Sequence, residues 1–306
     1  YFQSILLNFL SIAYFILCNS CKSAEWDSLE NSCHLGYSMA VFLKVTKDYS
    51  MPAPINKLKA AIRAGEMQIG IWLGLTSPAV AEIAGAAGFD WCLVDGEHGP
   101  NDLPLIEAQL RALQGLDASA IVRVPEGQDW ILKQVLDIGA QSILIPMVET
   151  AEQAAKVVAA CKYAPEGNRG VGYALARASG YNAISDYAQT ANDQICVIVQ
   201  VETLSAMRNI SQIAKVPGVD CIFIGPADLS ADMGHLGDLN HPDVLEVIAK
   251  GMAAITTAGL CAGTICIAAE EQERFVAHGG KFLGVAADVI TLQSALTSTV
   301  AKARNL

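Results

Sequence analysis

Two acidic residues, Glu202 and Asp228, each stand where a short apolar run gives out: CVIVQVE ends on the first and DCIFIGPAD on the second. The segment between them, SAMRNISQIAKV, has helix length and is stopped by Pro217 and Gly218, so the stretch reads as strand, helix, strand, with the strands parallel. Both carboxylates then leave one sheet at the same edge. Two such side chains repel unless one takes a proton or a cation lies between them, and hard divalent cations favour oxygen ligands. The competing reading is local: Glu202 caps the following helix and Asp228 opens a turn after Gly225 and Pro226.

Two further groups could take part in chemistry with them. His98 follows Asp95 and Glu97 in VDGEHGPND. A loop histidine is commonly solvated or capping, yet an imidazole titrates near neutrality and is the usual general base. Arg123 lies in AIVRV, just before Pro125. Buried alone, a guanidinium is costly, so it must meet a carboxylate of the protein or of a ligand, and the spacing leaves both open. A cation flanked by Glu202, Asp228 and Arg123 suits a substrate with adjacent carboxylate and carbonyl oxygens, the pattern of pyruvate passing to its enolate.

The elements that must position these groups recur at a steady pace after Met51. Strand candidates span 69–75, 91–95, 120–124, 142–147, 195–201, 221–224, 262–265 and 282–285, with helical patterns such as SPAVAEIAGAAG and TAEQAAKVVAACKYA between them. Eight strand-helix units with continuously apolar strands predict an α/β fold, a (β/α)8 barrel, with a doubly wound open sheet as the competitor. Barrel enzymes work at the C-terminal ends of their strands. Those ends carry Trp72 with its LTS turn, Asp95 to His98, Arg123, Glu149, Gln200, Glu202 and Asp228, while the strand beginnings carry no comparable set. That convergence favours the metal reading. Asp137, late in KQVLDIGA, reads as an ordinary exposed helix acid. The long interruption from Tyr163 to Asn192 reads as a functional loop.

Composition narrows the partners. The 306 residues are 52% hydrophobic, enough to fill a large core, and the net charge of −11 argues against nucleic-acid or anionic-lipid surfaces. Lys133, Lys156, Lys162, Lys215, Lys250 and Lys281 fall on helices or at a strand start, so no lysine is placed for a Schiff base. There is no Walker loop and no nucleotide-type G-x-G-x-x-G turn, hence no organic cofactor is expected. Of nine cysteines, Cys92, Cys196, Cys221, Cys261 and Cys266 fall in or beside apolar runs, as buried reduced thiols do, which favours the cytoplasm.

Residues 1–50 fit this pattern poorly. Tyr1 to Ser4 resemble the remnant of a cleavable tag, and the apolar run ILLNFLSIAYFILC lacks the preceding charges of a secretory signal. Cys18 and Cys21, with Cys33 and His34, could hold zinc, but no second C-x-x-C supports them. The expected division is therefore an extension over 1–50, not needed for the fold, and a barrel over 51–306.

The runs GIWLGLTSP, DWCLVDGEHGPND, LKQVLDIGAQSILIPMVETAEQA, PEGNRGVG, VQVET and IFIGPADLS resemble the class II pyruvate-dependent aldolases of the HpcH/HpaI family, from about Met51 to the C-terminus. The resemblance implies a (β/α)8 barrel in which Glu202 and Asp228 bind Mg2+, Mn2+ or Co2+. It implies that Arg123 holds the enolate oxygen and that His98 pairs with Asp137 as an acid/base dyad. Trp72, Gln200 and the backbone of Gly225, Pro226 and Ala227 would line a pyruvate pocket, with Ile265 facing the aldehyde. The implied reaction is reversible cleavage of a 4-hydroxy-2-oxo acid to pyruvate and an aldehyde. The implied assembly is a homohexamer with the last helix exchanged between neighbours. Gly99 departs from the alanine common in relatives, and the loop from Tyr173 to Tyr181 also differs from theirs, leaving aldehyde preference open.

Overall fold

Eight strands follow one another in the computed structural model, which describes residues 51–305. They are β1 (Gln68–Leu73), β2 (Trp91–Asp95), β3 (Ser119–Arg123), β4 (Ser142–Ile145), β5 (Cys196–Val201), β6 (Cys221–Ile224), β7 (Cys261–Ile265) and β8 (Gly280–Ala287). Each pairs in parallel with the next, and β8 closes on β1, with Gln68 opposite Phe282 and Trp72 opposite Ala287. The expected closed barrel is thus present, and the open sheet is excluded. Expectations about residues 1–50, including the Cys18–Cys21 pair, lie outside the described residues.

The helices are α1 (Lys57–Ala64), α2 (Pro78–Gly85), α3 (Leu103–Leu113), α4 (Asp129–Asp137), α5 (Ala151–Cys161), α6 (Tyr187–Gln194), α7 (Leu204–Ile213), α8 (Pro226–Asp232), α9 (Pro242–Thr257), α10 (Ala269–Ala277) and α11 (Asp288–Arg304). Several begin on side-chain caps that the sequence supplies: Ser77, Asp102 and Thr203 accept from the amides of Val80, Leu105 and Ala206. Thr150 and Gln153 form a capping box. Among the described residues, no helix is long and apolar enough to cross a membrane.

Strands β2, β4, β5 and β6 are buried along their whole length, because one face meets the helices and the other fills the barrel. Aromatic rings dominate the filling. Trp91 stacks on Phe282 at 4.5 Å, and Trp72 packs against Trp91 and Phe223. Room for Trp91 comes from Gly70, where a Cβ would lie 1.9 Å from the indole.

The edge where the strands begin is closed by α1. Asp220, immediately before β6, is buried and bonded to the Val197 amide at 3.0 Å, with Lys59 at 3.4 Å and Arg63 at 3.3 Å. Buried Lys59 also donates to the Ile195 carbonyl. The expectation that strand beginnings lack a comparable polar set is therefore wrong. Asp220 reads from sequence as a turn residue, and Lys59 is a lysine that sequence reasoning passed over.

The long segment from Tyr163 to Asn192 joins the end of α5 to the start of β5, so it also lies at this edge. Tyr163, Tyr173 and Tyr187 cluster there, and Arg177 bonds the Ile138 carbonyl and the Gln114 side chain. It lies there because a helix following a parallel strand returns the chain to where strands start.

Candidate active site

Alternation along β5 sends Gln200 and Glu202 to the same side, and the chain leaves the strand there. Glu202 is 2% exposed. One carboxylate oxygen accepts from the Met147 amide at 2.8 Å, and the other accepts from Gln200 Nε2. Met147 reaches it through a left-handed backbone (φ 55°), an uncommon conformation for a non-glycine residue. Burial pushes the Glu202 carboxyl up to about 7; the two hydrogen bonds oppose the rise, and the charges of Asp228 and Glu97 add to it.

Asp228 occupies the first turn of α8, where Gly225 caps the helix and Pro226 enters it. Its side chain carries no hydrogen bond or ion pair among the described residues, and it is exposed. Gly225 is needed at this point: a Cβ there would lie 2.4 Å from Glu202 Oε2 and 2.9 Å from Gln200 Nε2. The Gln200 Oε1 atom is buried without a partner.

Arg123 is buried and lies opposite Asp95 in the β2–β3 register. Its Nε and Nη2 donate to Asp95 at 2.8 and 2.5 Å, a two-pronged pairing that fixes the guanidinium plane. Nη1 stands 2.8 Å from Glu97 Oε2, and the guanidinium lies 5.6 Å from the Trp72 ring centre. Asp95 also accepts from the amides of Glu97 and His98. One carboxylate thus orients both the arginine and the turn bearing the histidine. Gly99 belongs to the same turn, since a Cβ there would come 2.6 Å from the Asp95 carbonyl.

His98 projects outward, its side chain 70% exposed and its Nε2 3.9 Å from Glu97. Burial raises the Glu97 carboxyl above its ordinary range, against the lowering effect of Arg123 and His98. Asp95 and Glu97 are the members of this site whose roles sequence reasoning missed, although the DGEH run contained them. Glu149, also expected at the rim, serves structure by accepting from Thr203 Oγ1 at 2.9 Å. Ile265 ends β7 half-buried against the barrel interior, and Ala227 is exposed beside Asp228.

Asp137 is the outlier. It ends α4 at the edge where strands begin, and it accepts from Arg169, which stacks on the Tyr163 ring at 4.4 Å. No hydrogen bond or ion pair joins it to His98 among the described residues, so a single chain does not assemble the expected dyad.

The donor set at the rim fits a hard divalent cation. Glu202 feels the charges of Asp228 and Glu97, is buried with neutral donors only, and has the unpartnered amide oxygen of Gln200 beside it, which is the chemistry of oxygen ligands.

A closed parallel barrel with its charged side chains gathered where the strands end is the arrangement of a barrel enzyme. Comparison with known proteins gives its kind: residues 68–295 match the model of the HpcH/HpaI aldolase/citrate lyase family. The chain is 49% identical over 252 residues to a hydroxypyruvate/pyruvate aldolase of Agrobacterium fabrum, covering 82% of this chain and 95% of that one. It is 46% identical over 250 residues to a 4-hydroxy-2-oxo-heptane-1,7-dioate aldolase of Shigella flexneri, covering 82% and 94%. Among solved structures, an HpcH/HpaI aldolase/citrate lyase family protein of Burkholderia cenocepacia superposes with a TM-score of 0.79 at 39% identity, covering 81% of this chain and 99% of that one. The chain belongs to the HpcH/HpaI aldolase/citrate lyase family, and it is an aldolase, a carbon–carbon lyase.

Proposed function

We propose that the chain is a divalent-metal-dependent aldolase that reversibly cleaves 4-hydroxy-2-oxo acids, such as 4-hydroxy-2-oxoheptanedioate, into pyruvate and an aldehyde. The observation that carries this reading is the buried Glu202 carboxylate, bonded only to the Met147 amide and Gln200 and pushed up to about 7 by burial, with the charges of Asp228 and Glu97 adding to the rise. Glu202 and Asp228 would hold Mg2+, Mn2+ or Co2+, which when bound supplies Lewis-acid polarisation of the 2-oxo group.

The chain's own residues do the rest. Two of the five guanidinium N–H groups of Arg123 are committed to Asp95 and Nη1 faces Glu97, so the rest would serve the oxygen on which charge builds. His98 takes the proton of the C4 hydroxyl, the C3–C4 bond breaks, and its electrons pass into the enolate. A proton returned to C3 then completes pyruvate. Trp72, Gln200 and the first-turn backbone from Gly225 to Ala227 line the pyruvate side, and Ile265 faces the aldehyde.

A His98–Asp137 dyad requires a neighbouring copy, because the two residues occupy opposite ends of one barrel. Val289, Ile290, Leu292, Leu296 and Val300 are all exposed on α11, an apolar surface that suits contact with another barrel and supports the expected hexamer with exchanged last helices. The described cysteines are free, as in the cytoplasm. Hydroxypyruvate is a second donor to consider, since relatives at 47–49% identity act on it by name.

The test is incubation of chelator-treated enzyme with pyruvate or hydroxypyruvate, a panel of aldehydes, and single metals. Metal-dependent consumption of donor and aldehyde together is expected. Equal turnover without metal would overturn the proposal. Arg123→Ala should lower turnover by about 100-fold or more while metal content is kept.

A further inference from the structure

Away from the rim carboxylates, the chain leaving α8 turns back on itself and brings three metal-ligating side chains together at the start of α9. His235 and His241 lie face to face, ring centres 3.5 Å apart and planes 14° apart. Asp243 Oδ2 is 4.0 Å from His235 Nε2 and 3.9 Å from His241 Nδ1. One ligand atom of each lies within 4.8 Å of the others. We propose that His235, His241 and Asp243 form a second metal site, for zinc or a similar borderline divalent ion, distinct from the site built on Glu202 and Asp228.

Chemistry separates the two sites. Carboxylates favour hard ions such as Mg2+, whereas two imidazoles with one carboxylate favour Zn2+, Ni2+ and Cu2+. Ligands about 2.0–2.2 Å from zinc stand roughly 3.3 Å from one another, so the set must draw in by roughly an ångström. The rings must also swing from face-to-face until their lone pairs converge. Neither motion is hindered: both histidines are half-buried and Asp243 is exposed, and the turn runs through Gly234 and Gly237, both at positive φ.

His241 Nδ1 accepts the Asp243 amide at 3.2 Å, so this nitrogen carries the lone pair a metal needs. Its release leaves a helix-start amide that water can reach. The positive end of α9 disfavours a cation, and Asp243 in the first turn offsets that. A bound ion would tie the exit of α8 to the start of α9. The His235 amide already donates to the Ser230 carbonyl at 2.7 Å, which places the staple two turns of chain from Asp228 without using it.

The experiment titrates ZnCl2 into the chelator-treated full chain, with bound metal counted by dialysis and elemental analysis and unfolding followed by heating. Parent protein is compared with His235→Ala and with His241→Asn, whose amide oxygen keeps an acceptor at the start of α9. The expected result is one zinc equivalent fewer in each variant, or at least tenfold weaker binding of that equivalent, and a smaller zinc-induced rise in the unfolding midpoint. Magnesium binding should be the same in all three proteins, which keeps this result separate from the fate of the Glu202–Asp228 reading. If folded His235→Ala and His241→Asn take up as much zinc as the parent, with the same affinity, the site does not exist.

Discussion

Where the strands begin, Asp220 is held by Lys59 at 3.4 Å, Arg63 at 3.3 Å and the Val197 amide at 3.0 Å. Where they end, Glu202 has only neutral donors, Asp95 and Glu97 share Arg123, and Asp228 has no ion pair among the described residues. Both edges bury ionisable groups, which is costly anywhere in a protein interior. At the first edge the buried acid and the buried lysine are matched by the fold itself, while Arg63 is mostly in water. At the second, Glu202 and Asp228 have no cationic partner among the described residues, and burial makes Glu202 hold its proton to higher pH. Burial alone therefore does not distinguish a structural charge from a functional one, whereas the completeness of pairing does.

The largest expected effect comes from removing an acid at the unbalanced edge. Asp228→Ala should reduce aldol cleavage to background and abolish binding of the catalytic metal, with the fold kept, as read by elemental analysis and circular dichroism. Retention of stoichiometric metal would remove Asp228 from the ligand set. The matching change at the balanced edge should do the reverse. Asp220→Ala strands buried Lys59, and a broken buried pair typically costs about 3–5 kcal/mol. Denaturant unfolding should show that loss, while activity per folded molecule stays near the parent value. A large fall in activity without loss of stability would erase the contrast between the edges.

Much of the strand-ending edge was legible in the sequence because period and position agree there. Continuous apolar runs marked the eight strands to within a few residues, and of the polar residues terminating them Asp95, Glu97 and Arg123 meet in space. Asp220 was not legible, since an acid after Pro217 and Gly218 looks like turn chemistry until α1 is seen to cover it. Lys59 sits in KLKAAIRA, where its spacing suits a solvated helix face as well as a buried one. The role of Asp95 was hidden for another reason: which carboxylate meets Arg123 depends on the β2–β3 register, which single-strand patterns do not contain. The segment from Tyr163 to Asn192 shows that length marks a segment out without saying which edge it occupies.

The unbalanced edge should also reveal itself through pH. The Glu202 carboxyl is raised from its ordinary 4.5 to about 7, so it favours the folded state while protonated. That contribution is full below about pH 4.5 and is lost as pH rises through 7. A rise from 4.5 to about 7 corresponds to roughly 3 kcal/mol. Metal-free protein should therefore show a falling unfolding midpoint between pH 5 and 8, and Glu202→Gln should flatten the slope. Added Mg2+ should restore stability at the upper end, where the carboxylate is ionised. A metal-free protein with no slope over this range would mean that Glu202 is already balanced within the chain.

The smallest effect worth measuring lies in the gap between the two acids. Gly225 keeps its backbone against Glu202 and Gln200, and a methyl group there would meet Glu202 Oε2 at 2.4 Å and Gln200 Nε2 at 2.9 Å. Neither partner can yield freely, because Glu202 is bonded to the Met147 amide and Gln200 to Glu202. Gly225→Ala should therefore rotate or displace Glu202 by a fraction of an ångström without removing any ligand. Misplacement by such a margin weakens metal binding by an expected factor of about 10, the lower end for disturbed support of a metal ligand. Gly70→Ala is the counterpart inside the barrel, where the added methyl meets Trp91 at 1.9 Å. It should lower stability and leave the affinity of the folded fraction for metal unchanged. Measured side by side, the two alanines ask whether close packing at the strand ends serves the ligands or only the core.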